Sequence, residues 1–394
     1  SHGHPDHLNP DSLHNFKNST ILLGDHVGGR IYNDLTNQGF KTSILPERKW
    51  TKLSDNVSVM GISTKIQDTI LLVRVNNDIF INLNDAGPYH TRFIKKICKP
   101  FKRKFLLSIS GWGDADMINF YDHNDKFIEP LAAKKHPVGD YLSLVAKTYD
   151  ANYVIPFSSF HEYQREDSIW ANRYVTPMEE YKNGIHNDIT FVEPFAFINS
   201  EKDGDISSLP LKKKKLVIKK SSEFKDNWSD VLEVDDKKIV KEYFDKFEEL
   251  QDKVGFINFV VGKKDFNLKM KGPMERGITF ELPRNSLVDA CKYSIFDDLL
   301  IGNFMKTQLH NLSSLYDPVI NFNNIVPKYG DNGLAFTKAE LVSYEKEYAK
   351  RMGIEYFYDL FANQSKNYFK FFFKNYRDSK YYTKFRKYYY YFFR

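Results

Sequence analysis

Apolar residues run along the chain with two different periods. Stretches 20–24, 41–45, 57–62, 69–75, 78–83, 105–110 and 153–157 are short apolar or alternating runs, closed by turn residues such as Gly28-Gly29, Pro46 and Asn76-Asn77. That is the pattern of strands. Stretches 30–38, 89–97 and 140–149 space their apolar residues as helices do. Asn9-Pro10-Asp11-Ser12 reads as a helix start that Leu13 and Phe16 continue. Short polar side chains there can take up the orphan amides of a first turn, and proline fits that turn. Strands in runs interleaved with helices predict a layered α/β sandwich over about residues 1–200.

Past residue 200 the pattern restarts. Lys212, Lys213, Lys214 and Lys215, with Lys219 and Lys220, form a charge run near a boundary. It reads as a solvated linker or edge, with an anion-binding patch as the alternative. A single helix is expected over 235–253, where Ile239, Val240, Phe244, Phe247 and Leu250 recur at helical spacing. Strands are expected at 256–261, 266–270 and 277–282, and a helix at 285–293. These make an α+β accessory domain over 201–330. Residues 331–394 read as a helical extension that turns aromatic and basic from Tyr368. Aromatics among basic residues can stack bases or sit at a membrane surface. Packing on the chain's own domain or on a partner subunit is the preferred reading.

Composition narrows the class without choosing a function. Hydrophobic residues are 42% and charged residues 27% of 394, ordinary for a globular protein. Aromatics are abundant, with 33 Phe and 25 Tyr. A net charge of +6 is too modest to argue for nucleic acid. No apolar run approaches the ~18 residues of a bilayer span. Cys98 and Cys291 stand far apart, which excludes a disulfide framework and makes a reducing cytoplasm the default expectation.

The strongest chemical signal is His2-Gly3-His4-Pro5-Asp6-His7. Imidazole nitrogens and carboxylate oxygens are ligands for zinc, iron and manganese. The i, i+2 spacing of His2 and His4 lets a loop turn both rings toward one ion, with Asp6 and His7 able to face a second. Paired ions can clamp the attacking and leaving oxygens of a hydrolysis. A purification tag is the competing reading, but a tag would not be expected to continue into Leu8-Asn9-Pro10-Asp11-Ser12 and a helix.

This motif resembles the first metal-binding motif of the metallo-β-lactamase superfamily, and the resemblance implies an α+β fold of the αββα sandwich type. In that fold several strands precede the motif. This chain opens on it without an initiator Met, so a fragment missing its N-terminal strands is expected. The resemblance implies Asp85, after the run 80–84, as the bridging carboxylate and His161 as the last ligand. The third histidine motif should fall between residues 57 and 69, and no histidine is there. Asp68 or Thr64 is the expected replacement, and His26 falls on the wrong strand end. The ligand set is therefore His2, His4, Asp6, His7, Asp85 and His161, holding one or two divalent ions (Zn, Mn or Fe). Asp6 would also accept a proton from the attacking water. Trp112, in the loop Gly111-Trp112-Gly113, would wall the centre or pack in a core. Arg165 and Asp167, in a polar stretch with Ser158 and Ser159, would orient ligands or hold substrate.

The segments 1–8, 81–86 and 153–160 resemble, more narrowly, the metallo-hydrolase portion of the CMP-N-acetylneuraminate hydroxylase family, with a weaker match at 296–302. In that family a preceding Rieske iron–sulfur domain supplies electrons. Two isolated cysteines cannot build that cluster here. Metal-dependent hydrolysis of an ester, amide or phosphodiester in a small-molecule substrate is the leading expectation. An iron oxygenase component with a separate electron donor is the first alternative. A non-catalytic binding protein on the same fold, alone or as a homo-oligomer, is the second.

Overall fold

The computed structural model describes residues 2–4, 7–109, 116–157, 160–201, 205–210 and 215–356. The chain is α+β and is built on two principal sheets. In chain order the strands are β1 (Ile21–Leu23), β2 (Thr42–Ile44), β3 (Thr51–Lys52), β4 (Val57–Ser63), β5 (Thr69–Val75), β6 (Asp78–Asn84), β7 (Arg103–Ser108), β8 (Phe120–Tyr121), β9 (Tyr153–Pro156) and β10 (Thr190–Phe191). After them come β11 (Ala196–Ile198), β12 (Ile206–Ser208), β13 (Phe256–Val261), β14 (Lys264–Lys269), β15 (Gly277–Glu281) and β16 (Lys306–His310).

The first sheet has the order β10-β9-β7-β6-β5-β4-β3. Strands β3 to β6 form an antiparallel meander, while β6, β7, β9 and β10 run parallel. Parallel neighbours need crossovers. The helices Thr91–Cys98 and Val138–Thr148 supply them. Both helices pack on one face, where Ile94, Cys98, Leu142 and Ala146 share a core with Ile79, Ile81, Leu83 and Leu106. On the other face Phe80, Phe105 and Tyr153 stack across β6, β7 and β9 at centroid distances of 4.7 and 4.6 Å. The register is pinned at the far end of β6 and β7. There the Arg103 guanidinium grips the buried Asp78 directly opposite it, with Nε donating to Oδ1 at 2.7 Å.

The second sheet has the order β14-β13-β15-β16-β8. Its hairpin β13–β14 turns on Gly262 and Lys263, both in the left-handed region (φ 59° and 62°), as the tightest hairpin turn requires. The short β8, from the first half of the chain, pairs with β16 of the second half. A core of Phe244, Phe247, Phe259, Phe280, Phe296 and Phe322 covers this sheet.

Two expected elements differ. The predicted helix over 235–253 breaks into Val234–Asp245 and Glu248–Gln251, because Phe247 leaves helical geometry (ψ 78°) to enter the aromatic core. The helix after Asn9 lasts only Pro10–Leu13 before a 3₁₀ turn, His14–Phe16. The extension contributes the helix Lys338–Met352, capped by Thr337 and Glu340, and it sends Tyr344 and Tyr348 into the second core. Residues 357–394 and lysines 212–214 lie outside the described residues. Among the described residues, no helix is long and apolar enough to cross a membrane.

The halves are joined by polar contacts as well as by packing. Arg30 donates to the carbonyls of Tyr293, Ser294 and Asp331. Gly28 (φ 88°) lies so close to Gly333 that a Cβ would stand 2.5 Å from its carbonyl oxygen, so backbone meets backbone there. Asp331 is buried under Tyr243, whose hydroxyl donates to Oδ2 at 2.8 Å. Burial pushes its carboxyl pKa up to about 7, with Tyr243 and Arg30 holding it back.

A carboxyl raised in the fold favours the protonated state, so its contribution is complete below the unfolded pKa near 3.9 and is lost as pH rises through about 7. Asp331→Asn should therefore flatten the fall in stability between pH 4 and 7, by about 4 kcal/mol at the upper limit. Denaturant unfolding of both proteins at pH 5 and pH 8 measures it. An equal pH dependence in wild type and variant would show that Asp331 ionises freely.

Candidate metal centre

The centre sits where β6 ends. Asn82 Oδ1 accepts from the Asn84 amide at 2.9 Å, and the β6–β7 register slips between these two residues. Asn84 takes a left-handed conformation (φ 51°), which asparagine tolerates better than most residues. The amide of Ala86 then returns to the Leu83 carbonyl at 2.9 Å. This bulge and turn lift Asp85 off the strand. Bulges re-aim side chains in this way next to functional sites.

The N-terminal loop closes over the same point. The amides of His7 and Leu8 both donate to the His4 carbonyl, at 2.9 and 2.8 Å. That winds the three imidazoles together, with the His2 ring centroid 4.2 Å from those of both His4 and His7. His2 Nε2 lies 2.8 Å from His4 Nδ1 and 3.5 Å from Asp85 Oδ2. His7 Nε2 lies 3.1 Å from the same Asp85 oxygen. Among the described residues, His2, His4 and Asp85 each bring a ligand atom within 4.8 Å of the others. Asp85 Oδ1 is buried without a hydrogen-bond partner.

Each of the two facing imidazoles is held from behind by a buried carboxylate. His2 Nδ1 meets Asp68 Oδ1 at 2.6 Å, and His4 Nε2 is bonded to Asp297 Oδ2. The β4–β5 turn presents Asp68, since the amide and hydroxyl of Thr64 both donate to the Asp68 carbonyl, at 2.8 and 3.0 Å. Asp297 comes from the second half of the chain, in the short helix Phe296–Ile301. Lys328 stands behind it with Nζ 3.5 Å from Asp297 Oδ2, carried by the π-helical segment Asn324–Asn332, which contains Pro327. π-Helical turns are rare and collect at functional sites.

Burial is the largest influence on His2 and takes its pKa down to about 4, although Asp68 opposes it. The ring is therefore neutral at pH 7, and the ionised Asp68 favours its one proton on the nitrogen 2.6 Å away. Burial also works against protonation of His4, but Asp297 outweighs it and its pKa is raised. Asp68 and Asp297 are buried, which would raise their pKa values. The imidazoles and Lys328 more than offset this and hold both well below the usual carboxylate range. Lys328 is kept above the usual lysine value by Asp297 and Asp68 despite its burial.

Not every expected site residue joins this group. Asp68 stands on the far nitrogen of His2 rather than replacing a missing histidine. His161 packs edge-on to Tyr163 at 5.0 Å and is not in the His2–His4–Asp85 group. Arg165 and Asp167 are tied to each other by bonds of 2.7 and 3.1 Å. Arg165 also pairs with Asp226 at 2.8 Å and lies 3.9 Å from the Phe304 ring centroid. Asp167 accepts from Trp228 and Ser221. These two residues thus serve a buried ionic junction between segments. Asp6, Trp112, Ser158 and Ser159 lie outside the described residues. His26 bonds Thr69 at 2.8 Å, and His90 is buried against Arg48 at 2.9 Å, its pKa taken down to about 3 by burial and that cation.

Asp297 and Lys328 were missed from sequence. The signs at Asp297 were the acidic pair Asp297-Asp298 among apolar residues and the weaker resemblance at 296–302, and nothing local marks Lys328.

No family model matches the chain, and no curated protein matches it. Among solved structures, a mutant of the CmlA beta-hydroxylase is similar over 49% of this chain and 42% of its own, at 12% identity and a TM-score of 0.33. The chain thus spans less than half of that protein. A Parabacteroides distasonis protein assigned as a metal-dependent hydrolase is similar over 49% of this chain and 73% of its own, at 12% identity and a TM-score of 0.27. Likenesses this faint carry no weight for function.

The geometry around His2 makes a spectroscopic prediction. At neutral pH in metal-free protein, ¹⁵N–¹H correlation spectra should show His2 neutral and protonated on Nδ1. Asp68→Asn should remove that preference and mix the tautomers. An unchanged tautomer in the variant would show that Asp68 does not set it.

Proposed function

We propose that the chain is a metal-dependent hydrolase of metallo-β-lactamase-like fold, acting on an ester, amide or phosphodiester. His2 Nε2, His4 Nδ1 and Asp85 would hold a divalent ion, with His7 beside Asp85. One observation carries the reading. With Asp68 and Asp297 each occupying the far nitrogen of an imidazole, the lone pairs of His2 Nε2 and His4 Nδ1 face each other at 2.8 Å. Two facing lone pairs call for a proton or a cation between them. Ligating histidines commonly carry a carboxylate on the other nitrogen, which fixes the tautomer and raises basicity.

The donor set suits the group. Two imidazoles and a carboxylate are accepted by zinc, iron and manganese, and the unsatisfied Asp85 Oδ1 is an available ligand atom. Such an ion supplies Lewis acidity, activating water near neutral pH and polarising the bond to be cleaved. His7 would orient Asp85 through its 3.1 Å contact. Lys328 would hold Asp297 in place and offset its charge. Asp6 keeps the role of proton acceptor that the family resemblance implies.

A second reading has its own support. Two histidines and one carboxylate are also the ligand set of non-haem iron oxygenases, so an oxygenase component fed by an external electron donor competes with hydrolysis.

Elemental analysis of the purified chain, with His4→Ala beside it, tests both. Zinc or manganese near one equivalent, lost in the variant and accompanied by cleavage of an ester or phosphodiester panel, supports the hydrolase. Iron at the same stoichiometry favours the oxygenase. A chain that takes up no metal overturns both. Asp297→Asn should lower metal affinity about 10–100-fold, the usual effect of removing such an outer partner, as read by calorimetric titration with zinc.

A further inference from the structure

His2 and His7 line a cavity of about 290 Å³. Its apolar wall is assembled from separate parts of the chain. Leu22 and Leu23 come from β1, Leu45 from just beyond β2, Ile31 from the helix Arg30–Asn37 and Leu71 from β5. Polar groups line it too, among them Gln67, Thr69, Asn82, Asn84 and Arg30. The cavity thus combines branched aliphatic side chains with hydrogen-bonding groups beside the candidate metal centre.

The outer wall is thin. Strands β1 and β2, three residues each, pair with each other and, among the described residues, with no other strand. A two-stranded unit of that size has little stability of its own. Leu22 and Ile44 remain 37% and 40% exposed, so this wall offers an apolar entry that can yield without disturbing the main sheet.

We propose that this cavity binds a straight aliphatic acyl chain, with its carbonyl or carboxylate at His2 and His7. The substrate class is then an acyl ester or amide rather than a phosphodiester. The placement of the carbonyl rests on the proposed metal centre, whereas the binding of the tail rests on the cavity alone.

Saturated fatty acids from butanoate to dodecanoate, titrated calorimetrically into the full chain with and without zinc, test the assignment. Affinity should climb about fourfold per methylene, the equivalent of ~0.8 kcal/mol, and level off once the cavity is full. Zinc should shift the whole series without changing its slope. Leu71→Trp should bring the levelling point to shorter chains, and the milder Leu45→Ala should move it to longer ones. A flat chain-length profile in wild type, or a levelling point that neither variant moves, overturns the proposal. A slope that persists in a chain unable to take up zinc supports the cavity and overturns the metal centre. Zinc uptake with a flat profile does the reverse.

Discussion

The two facing imidazoles can stay where they are only because a buried carboxylate stands behind each. Asp68 reaches His2 from the turn between β4 and β5, in the first sheet. Asp297 reaches His4 from a helix packed on the second sheet. The centre therefore does not belong to either half of the chain, and it exists only when both are docked. This explains why so much polar chemistry is spent on the junction. Arg30 caps three carbonyls of the second half, Gly28 lets the backbone press against Gly333, and Tyr344 accepts a bond from Gln67, next to Asp68. A shift of one half by an ångström would pull an anchor off its imidazole.

The first half of the chain was largely legible from its sequence, because its strands follow their own local pattern. The run 78–83 is mostly apolar with β-branched residues, as a strand is, and Ile79, Ile81 and Leu83 point to the helices while Phe80 points to the opposite face. A short polar turn after such a strand placed Asp85 at its end. The imidazole cluster was legible because its members are adjacent. The other contributors were not. Asp297 lies 293 residues from His4, and its neighbours Phe296, Leu299 and Leu300 belong to the second core, so no local pattern ties it to the imidazoles. Lys328 sits in a π-helical segment containing proline, a conformation without a sequence period to recognise. Arg165 and Asp167 misled for the converse reason: a polar stretch looks alike whether it faces a cavity or knits two segments together.

The missing third histidine illustrates how a pattern can be filled differently. The stretch 57–69 holds Asp68 where an imidazole was expected. A carboxylate at that turn does not point its oxygens at the cluster as a further ligand. It stands 2.6 Å from His2 Nδ1 and favours the proton on that nitrogen, which leaves Nε2 facing inward. The position still governs the centre, by way of a tautomer instead of a bond. Thr64, considered as a substitute ligand, turns out to hold the Asp68 carbonyl and to shape the turn that makes this possible.

Charge supplies the last step. Asp68, Asp85 and Asp297 bring three carboxylates to the cluster, and Lys328 brings one ammonium within reach of all of them. His2 is neutral, and the raised pKa of His4 adds at most one positive charge. Burying unbalanced charge costs several kcal/mol per ion even after relaxation, so a cluster left negative is a standing penalty on the fold. A proton on His4 only partly removes it. A single divalent cation, replacing that proton between the two imidazoles, would balance the three carboxylates and Lys328. Because Asp68 and Asp297 come from different halves of the chain, a cation held at the proposed centre would couple its binding to the docking of the two halves.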